Sequence, residues 1–264
     1  MLRVQLFGVP SPKIHGAPQN LELGRCGQRL AGYLCSFAGR TLRREFLEDQ
    51  FWGHLGDQRA GAALNTALWR IRKALPDGAL RVHHAEITLQ PDNRLAIDAQ
   101  LFDQQAQRQL AEASPGKREV DDLRGCITLY EGQLLEGETA EWAIVERERL
   151  ERLYLRLLVL LGNRLVRMDR LEEAIVVANR ILAVDPFREA THRDLIITLA
   201  LNEQRGAAIR HFERLRRLLR DELDLTPARE TAALIDALRS EGFREQLTPF
   251  QGRCFSAIEA TSTF

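Results

Sequence analysis

Apolar residues recur along this chain with two periods, and the switches between them mark out its elements. Asp57–Leu75, DQRAGAALNTALWRIRKAL, sets Ala60, Leu64, Leu68, Ile71 and Leu75 on one side of a helix. Arg59, Asn65, Thr66, Trp69, Arg70 and Lys73 take the other side, Arg72 lies on the flank, and no carboxylate follows Asp57. Asp57 is placed to cap the helix by accepting from first-turn N–H groups. Two shorter helices precede it. Arg25–Phe37 turns Leu30, Leu34 and Phe37 inward and stops at Gly39; Arg43–Phe51 turns Phe46, Leu47 and Phe51 inward, with Trp52 beyond its end. Strand patterns flank these helices. Val4–Phe7 closes at Gly8 and Pro10, and Lys13–His15 and Gln19–Leu23 flank a turn at Gly16-Ala17-Pro18. After Pro76-Asp77-Gly78 come Leu80–His83, Glu86–Gln90 and Arg94–Ile97, the last two separated by Pro91-Asp92-Asn93. Strands, three helices and a hairpin make a winged helix-turn-helix, whose third helix enters a DNA major groove and whose hairpin lies along the backbone or minor groove.

Beyond a polar connection at Ala113–Lys117 the pattern is helical throughout: Glu141–Met168, Leu171–Val184, Arg188–Leu201, Gly206–Leu223 and Ala228–Arg239. A shift of 34 residues aligns Leu165 with Leu199, Ala174 with Ala208, Arg180 with Arg214 and Ile181 with Leu215. That period, with a small residue where two helices approach closely, is a tetratricopeptide signature, here without the usual Trp and Tyr. Asp185-Pro186 and Thr226-Pro227 punctuate the helices. Leu247–Phe264 has no periodicity and reads as a disordered tail.

The outer face of Asp57–Leu75 holds the candidate chemistry. Arg and Asn can read base edges bidentately, Thr offers a hydroxyl, and further cations hold phosphates. A solvated helix with ordinary surface charge is the plain alternative. Trp69 either packs on deoxyribose or a thymine methyl, or is covered by the second domain. Arg43 and Arg44 open the second helix, where cations beside backbone N–H groups suit a phosphate, although solvated arginines would look the same. His83 and His84, at the wing tip, are assigned to DNA contact, since two adjacent histidines are no metal site without further ligands.

Composition narrows the choice. The chain has 264 residues, 45% hydrophobic and 28% charged, which suits two globular domains. No apolar run nears the roughly 20 residues that span a bilayer, and the N-terminus MLRVQLFGVP lacks the features of a secretory signal. Cys26, Cys35, Cys126 and Cys254 form no CxxC pair, so reduced thiols and a cytoplasmic protein are expected, with no metal and no cofactor. The net charge of zero hides a split. Residues 1–95 hold 13 Lys and Arg against 8 Asp and Glu, a net of +5, leaving −5 for residues 96–264. A basic reader joined to an acidic protein-contact module would show such a split. Only Lys13, Lys73 and Lys117 are lysines, a uniform Arg preference that points to genome composition. The chain carries no GxxxxGK[ST], HExxH or GxSxG, and no GxGxxG after a strand. The carboxylates of Glu146–Arg152 alternate with arginines as on a solvated face, so no enzyme is expected.

Three segments of the N-terminal part, LFG, GRTLRREFLEDQFWG and AALNTALWRIRKAL, resemble the Streptomyces antibiotic regulatory proteins, and the strands before the first helix resemble the OmpR type of winged helix. The Leu-Arg-Arg-x-Leu end of that family's third helix is matched by Ile71-Arg72-Lys73-Ala74-Leu75. The family's Gly-Tyr-Arg-Leu wing strand is replaced by Glu86-Ile87-Thr88-Leu89, which makes the wing less basic. The second part is similar to the bacterial transcriptional activator domain, carried by YEGQLLEG at Tyr130–Gly137, EWAIVERERL at Glu141–Leu150 and LLRDELDLTP at Leu218–Pro227. The resemblance implies a mainly α chain with a small β component. An OmpR-type winged helix occupies residues 1–98, a tetratricopeptide-like domain residues 99–245, and a tail the remainder. It implies a sequence-specific activator that binds direct repeats in double-stranded promoter DNA and recruits RNA polymerase, as a homodimer on DNA and with no membrane. A tetratricopeptide-type adaptor whose winged helix contacts protein stays open beside it. The near-neutral wing favours the adaptor, and the carboxylate-free helix face favours DNA.

Overall fold

A computed structural model describes residues 1–16, 23–111, 117–240 and 254–255. The chain divides into two compact units, residues 1–111 with 125–153 and residues 112–124 with 154–264.

The first unit opens with β1 (Leu2–Gln5) and β2 (Lys13–His15), an antiparallel pair. The first strand starts and ends two residues earlier than its apolar pattern suggests. Leu6 and Phe7 leave the ladder because their N–H groups donate to the buried Asp98 carboxylate, at 2.9 and 3.1 Å. Three helices follow: α1 (Arg25–Ser36), α2 (Arg44–Trp52) and α3 (Asp57–Ala74). A strand that no periodicity announces, β3 (Thr41–Arg43), lies between α1 and α2. It pairs with β5 (Glu86–Leu89), which in turn pairs with β4 (Leu80–His83), so the wing is a three-stranded antiparallel sheet. The expected third wing strand, β6 (Leu95–Ile97), instead runs parallel to β1 in the other sheet.

Other expectations change locally. Gly56, not Asp57, occupies the cap of α3, and Asp57 stands in the first turn without a side-chain cap bond. Trp52 lies inside α2 and is buried, whereas Phe46 points outward at 45% exposure. The expected strand at Gln19–Leu23 and the polar connection at Ala113–Lys117 lie largely outside the described residues.

The motifs YEGQLLEG and EWAIVERERL, read in sequence as second-domain features, pack within this first unit. They lie around the end of α5 (Lys117–Thr128) and the start of α6 (Glu141–Arg167). Tyr130 packs its ring at a tilt against Phe7 and against Phe102 of α4 (Asp98–Ala111). Gly132 lies so close to Gly8 that an added Cβ would stand 3.0 Å from the Gly8 Cα, and both have positive φ. Trp142 meets Tyr33 edge-on at 5.0 Å. Arg147 donates to the carbonyls of Leu134, Leu135 and Glu138 at 2.9–3.0 Å, and Arg149 forks onto Asp103 with two 3.0 Å bonds while also holding Glu146. A planar guanidinium suits such multiple donation, whose fork geometry an ammonium could not reproduce.

The described elements of the second unit are helices: parts of α5 and α6, then α7 (Leu171–Val184), α8 (Glu189–Leu201), α9 (Arg205–Leu223) and α10 (Arg229–Arg239). The 34-residue period is written into its backbone. Arg170 N–H donates to Leu165 C=O at 2.9 Å, and Gln204 N–H, 34 positions on, donates to Leu199 C=O at 2.8 Å. Asp169 and Glu203, also 34 apart, both take the left-handed conformation that closes a helix, with φ of 58° and 60°. Ala174 and Ala208 are wholly buried, as are Ile181 and Leu215, while Arg180 and Arg214 face outward. Between α8 and α9 a buried histidine pair forms one polar chain. Arg214 donates to His211 Nδ1, His211 Nε2–H to His192 Nδ1, and His192 Nε2–H to the Pro186 carbonyl. Only neutral rings satisfy all three bonds.

The expected tail is almost entirely outside the described residues. Its two described members, Cys254 and Phe255, depart from the expectation of disorder: both are buried.

Candidate nucleic-acid interface

Helix α3 is amphipathic for a simple reason. Ala60, Leu64, Ala67, Leu68, Ile71 and Ala74 lie at helical spacing and are buried in the first unit. The complementary face presents Arg59, Asn65, Thr66, Trp69, Arg70, Arg72 and Lys73, all exposed. Thr66 Oγ1 donates back to Ala62 C=O at 2.9 Å, which leaves its lone pairs outward as acceptors. The Lys73 ammonium lies 4.0 Å from the Trp69 ring centroid, and the indole is 56% exposed. This cation–π contact holds the indole as a flat apolar platform beside a positive charge.

Arg44 behaves differently from the phosphate-binding cation expected at the start of α2. Its guanidinium is bound within the unit, to Glu48 at 2.8 Å, to the Gly61 carbonyl at 3.2 Å and to Asn65 Oδ1 at 2.7 Å. Its backbone N–H is also engaged, by the Ala85 carbonyl in the wing turn. The sequence signal for this role was Glu48, four residues on, which draws the guanidinium along α2 and onto α3. Arginine has no acceptor, so the Asn65 oxygen must face it and the Asn65 NH2 is turned outward as a donor. Arg44 is therefore a positioning group for Asn65.

The wing adds a second surface. Its register places Thr41, Thr88 and Arg81 in one row and Arg43, Glu86 and His83 in the next, on the same outward face. Arg43 and His83 are exposed there with Glu86 between them. His84, at φ 42°, makes the turn of the hairpin. Arg81 is an exposed wing cation outside the sequence-derived candidates. The alternation of inward Leu80 and Val82 around it is the pattern that reveals it. Among the described residues no cluster of three or more His, Cys, Asp or Glu is arranged to hold a metal ion.

Residues 97–239 match the family described as the bacterial transcriptional activator domain. The chain belongs to that family. It is 28% identical over 230 residues to the regulatory protein AfsR of Streptomyces coelicolor, covering 84% of this chain and 23% of that protein. The Streptomyces griseus AfsR is 27% identical over 198 residues, 74% of this chain and 20% of that protein. The chain thus spans less than a quarter of the length of these curated relatives. The solved structure of Mycobacterium tuberculosis EmbR, in complex with a low-affinity phosphopeptide, superposes with a TM-score of 0.72. It does so at 17% identity over 95% of this chain and 69% of that one. Such a likeness shows the fold: a winged helix followed by tetratricopeptide-like helices. Together these findings place the chain with the Streptomyces antibiotic regulatory protein type, in a family of transcriptional activators that is regulatory in character. Among the described residues no helix is long and apolar enough to cross a membrane.

Proposed function

We propose that the chain binds promoter DNA sequence-specifically through α3, acts in the cytoplasm on direct repeats occupied by two protomers side by side, and recruits RNA polymerase to them. The observation that carries this reading is the exposed face of α3, which combines Asn65, Thr66, Trp69, Arg70 and Lys73 and lacks any carboxylate beyond the first turn. Asn65, held by Arg44 with its NH2 outward, is suited to acceptor atoms on a purine edge in the major groove. Arg59, Arg70, Arg72 and Lys73 supply charge for phosphates, and Arg43, Arg81, His83 and His84 extend that surface along the wing. Glu86 in the middle of the wing face favours the second reading, a protein-contact module, for the wing alone.

The test is selection of bound duplexes from a random-sequence library with the full chain, followed by nuclease protection on the selected site. The proposal expects a repeated motif with two protected segments whose centres are about 10–11 bp apart or a multiple of that. Recovery of unrelated sequences with no protected segment would favour the adaptor.

A further inference from the structure

In the helical unit, two residues of the chain's own C-terminal segment, Cys254 and Phe255, fill a cleft between α6 and α8. Cys254 and Phe255 are 2% and 3% exposed. The Phe255 ring lies on Gly162 of α6, so close that a Cβ added there would fall 2.5 Å from Cε1 and 2.6 Å from Cδ1. Glycine inside a helix costs roughly 1 kcal/mol relative to alanine, and here its bare backbone is what makes room for the ring. The polar groups of the cleft are matched to a peptide backbone. The Asp194 carboxylate, itself 8% exposed, accepts the Phe255 N–H at 2.9 Å. Asn163 Nδ2 donates to the Cys254 carbonyl at 3.1 Å. The Cys254 thiol lies 3.6 Å from the Asp194 carbonyl and 3.8 Å from Thr198 Oγ1. Burial pushes the Asp194 carboxyl up to about 6, with the Phe255 N–H opposing that rise, so this amide is a needed donor to a desolvated group.

We propose that the α6–α8 cleft is a peptide-binding site whose ligand is a short segment bearing a phenylalanine, and that the chain's own Cys254–Phe255 occupies it in cis. Recognition has three parts. A glycine shelf takes the aromatic ring, a buried carboxylate takes the phenylalanine amide, and a side-chain amide takes the preceding carbonyl. None of these depends on DNA binding, and each uses groups of the helical unit alone. A tethered ligand competes at an effective concentration in the millimolar range, so the site is closed to weaker peptides in trans while the segment is docked.

Two measurements on the full chain test this. The first is site-resolved alkylation of the four cysteines by iodoacetamide. Cys254 should react in Phe255→Ala, and in Gly162→Ala, at least about tenfold faster than in the unaltered chain, as a lost burial of this size implies. Cys35 and Cys126, buried in the first unit, should stay protected and so report an intact fold there. The second is titration of a labelled peptide with the sequence Arg-Cys-Phe-Ser-Ala. Phe255→Ala should bind it saturably below about 1 mM, the unaltered chain at least tenfold more weakly, and the Phe255→Ala, Gly162→Ala double variant not at all. Equal alkylation of Cys254 in the unaltered chain and both variants, or equal peptide binding by all three chains, would overturn the assignment.

Discussion

Ala174 and Ala208 are where the repeat can be stressed most cleanly. Both are completely buried, one residue type at equivalent places in successive repeats, each N–H bonded to the residue that ends the preceding turn. Replacing either with Leu adds three carbons where no solvent reaches, which overpacks the contact at a cost of about 1–3 kcal/mol. For a domain of 150–250 residues each kcal/mol lowers Tm by about 2–4 °C, so the combined expectation is about 2–12 °C. Ala207, one residue away, is partly exposed and faces a different side of α9, so Ala207→Leu should change stability by less than about 0.5 kcal/mol. Circular dichroism melts of the three full-length variants, monitored at 222 nm, measure this directly. Promoter activation should fall with the first two substitutions at temperatures where DNA binding persists. Equal melting temperatures for all three variants would show that the 34-residue spacing does not describe how these helices pack.

Three further outcomes follow from named contacts. Burial, and then the neighbouring His192, holds His211 down to about 4, while an unfolded histidine titrates near 6.5. Between those values the unfolded chain binds a proton that the folded chain refuses, so stability falls as pH drops from about 6.5 towards 4, by up to about 3 kcal/mol. Urea midpoints at pH 7.5 and 5 should show that loss, and His211→Phe should flatten it; an unchanged slope would refute the neutral-pair account. Arg147→Met removes the donor from the Leu134 and Glu138 carbonyls, while Leu135 keeps the Glu138 N–H, and should destabilise the first unit by about 3 kcal/mol in denaturant titrations, with a loss under about 0.5 kcal/mol counting against the clamp. Residues 1–100 alone should melt below residues 1–153, because the shorter piece lacks Phe102, Tyr130, Leu134, Leu135 and Trp142, which cover Phe7 and Tyr33; identical melts would show that this cover is dispensable.

Helical periodicity made α3 and α6–α10 legible to within two residues at either end, because their apolar faces are continuous and their ends carry Gly, Pro or left-handed residues. The wing hairpin was legible for the same reason, with Leu80, Val82, Ile87 and Leu89 alternating against polar neighbours. What escaped was set by long-range pairing. Thr41–Arg43 is only three residues and becomes a strand because β5 offers it an edge, and Leu95–Ile97 finds β1 across the sequence rather than its neighbour β5. Asp98 is another such case: its carboxylate ends β1 from 92 positions away. At the candidate interface the outward face of α3 could be read from spacing alone. The capture of Arg44 by Glu48, Gly61 and Asn65 could not, since an arginine at a helix start looks the same in sequence whether it meets solvent or a neighbouring helix.

If α3 reads base edges, the affinity of the full chain for the selected duplex, set against its affinity for random duplex, depends on the outward side chains of that helix. Asn65→Ala should weaken binding to the selected site by about 1–3 kcal/mol and leave random DNA almost unaffected, relaxing preference at particular base positions. Lys73→Ala should weaken both by similar factors and reduce the slope of log affinity against log salt by about 1. Discrimination and salt slope identical to those of the unaltered chain in both variants would mean that α3 is not the reading helix.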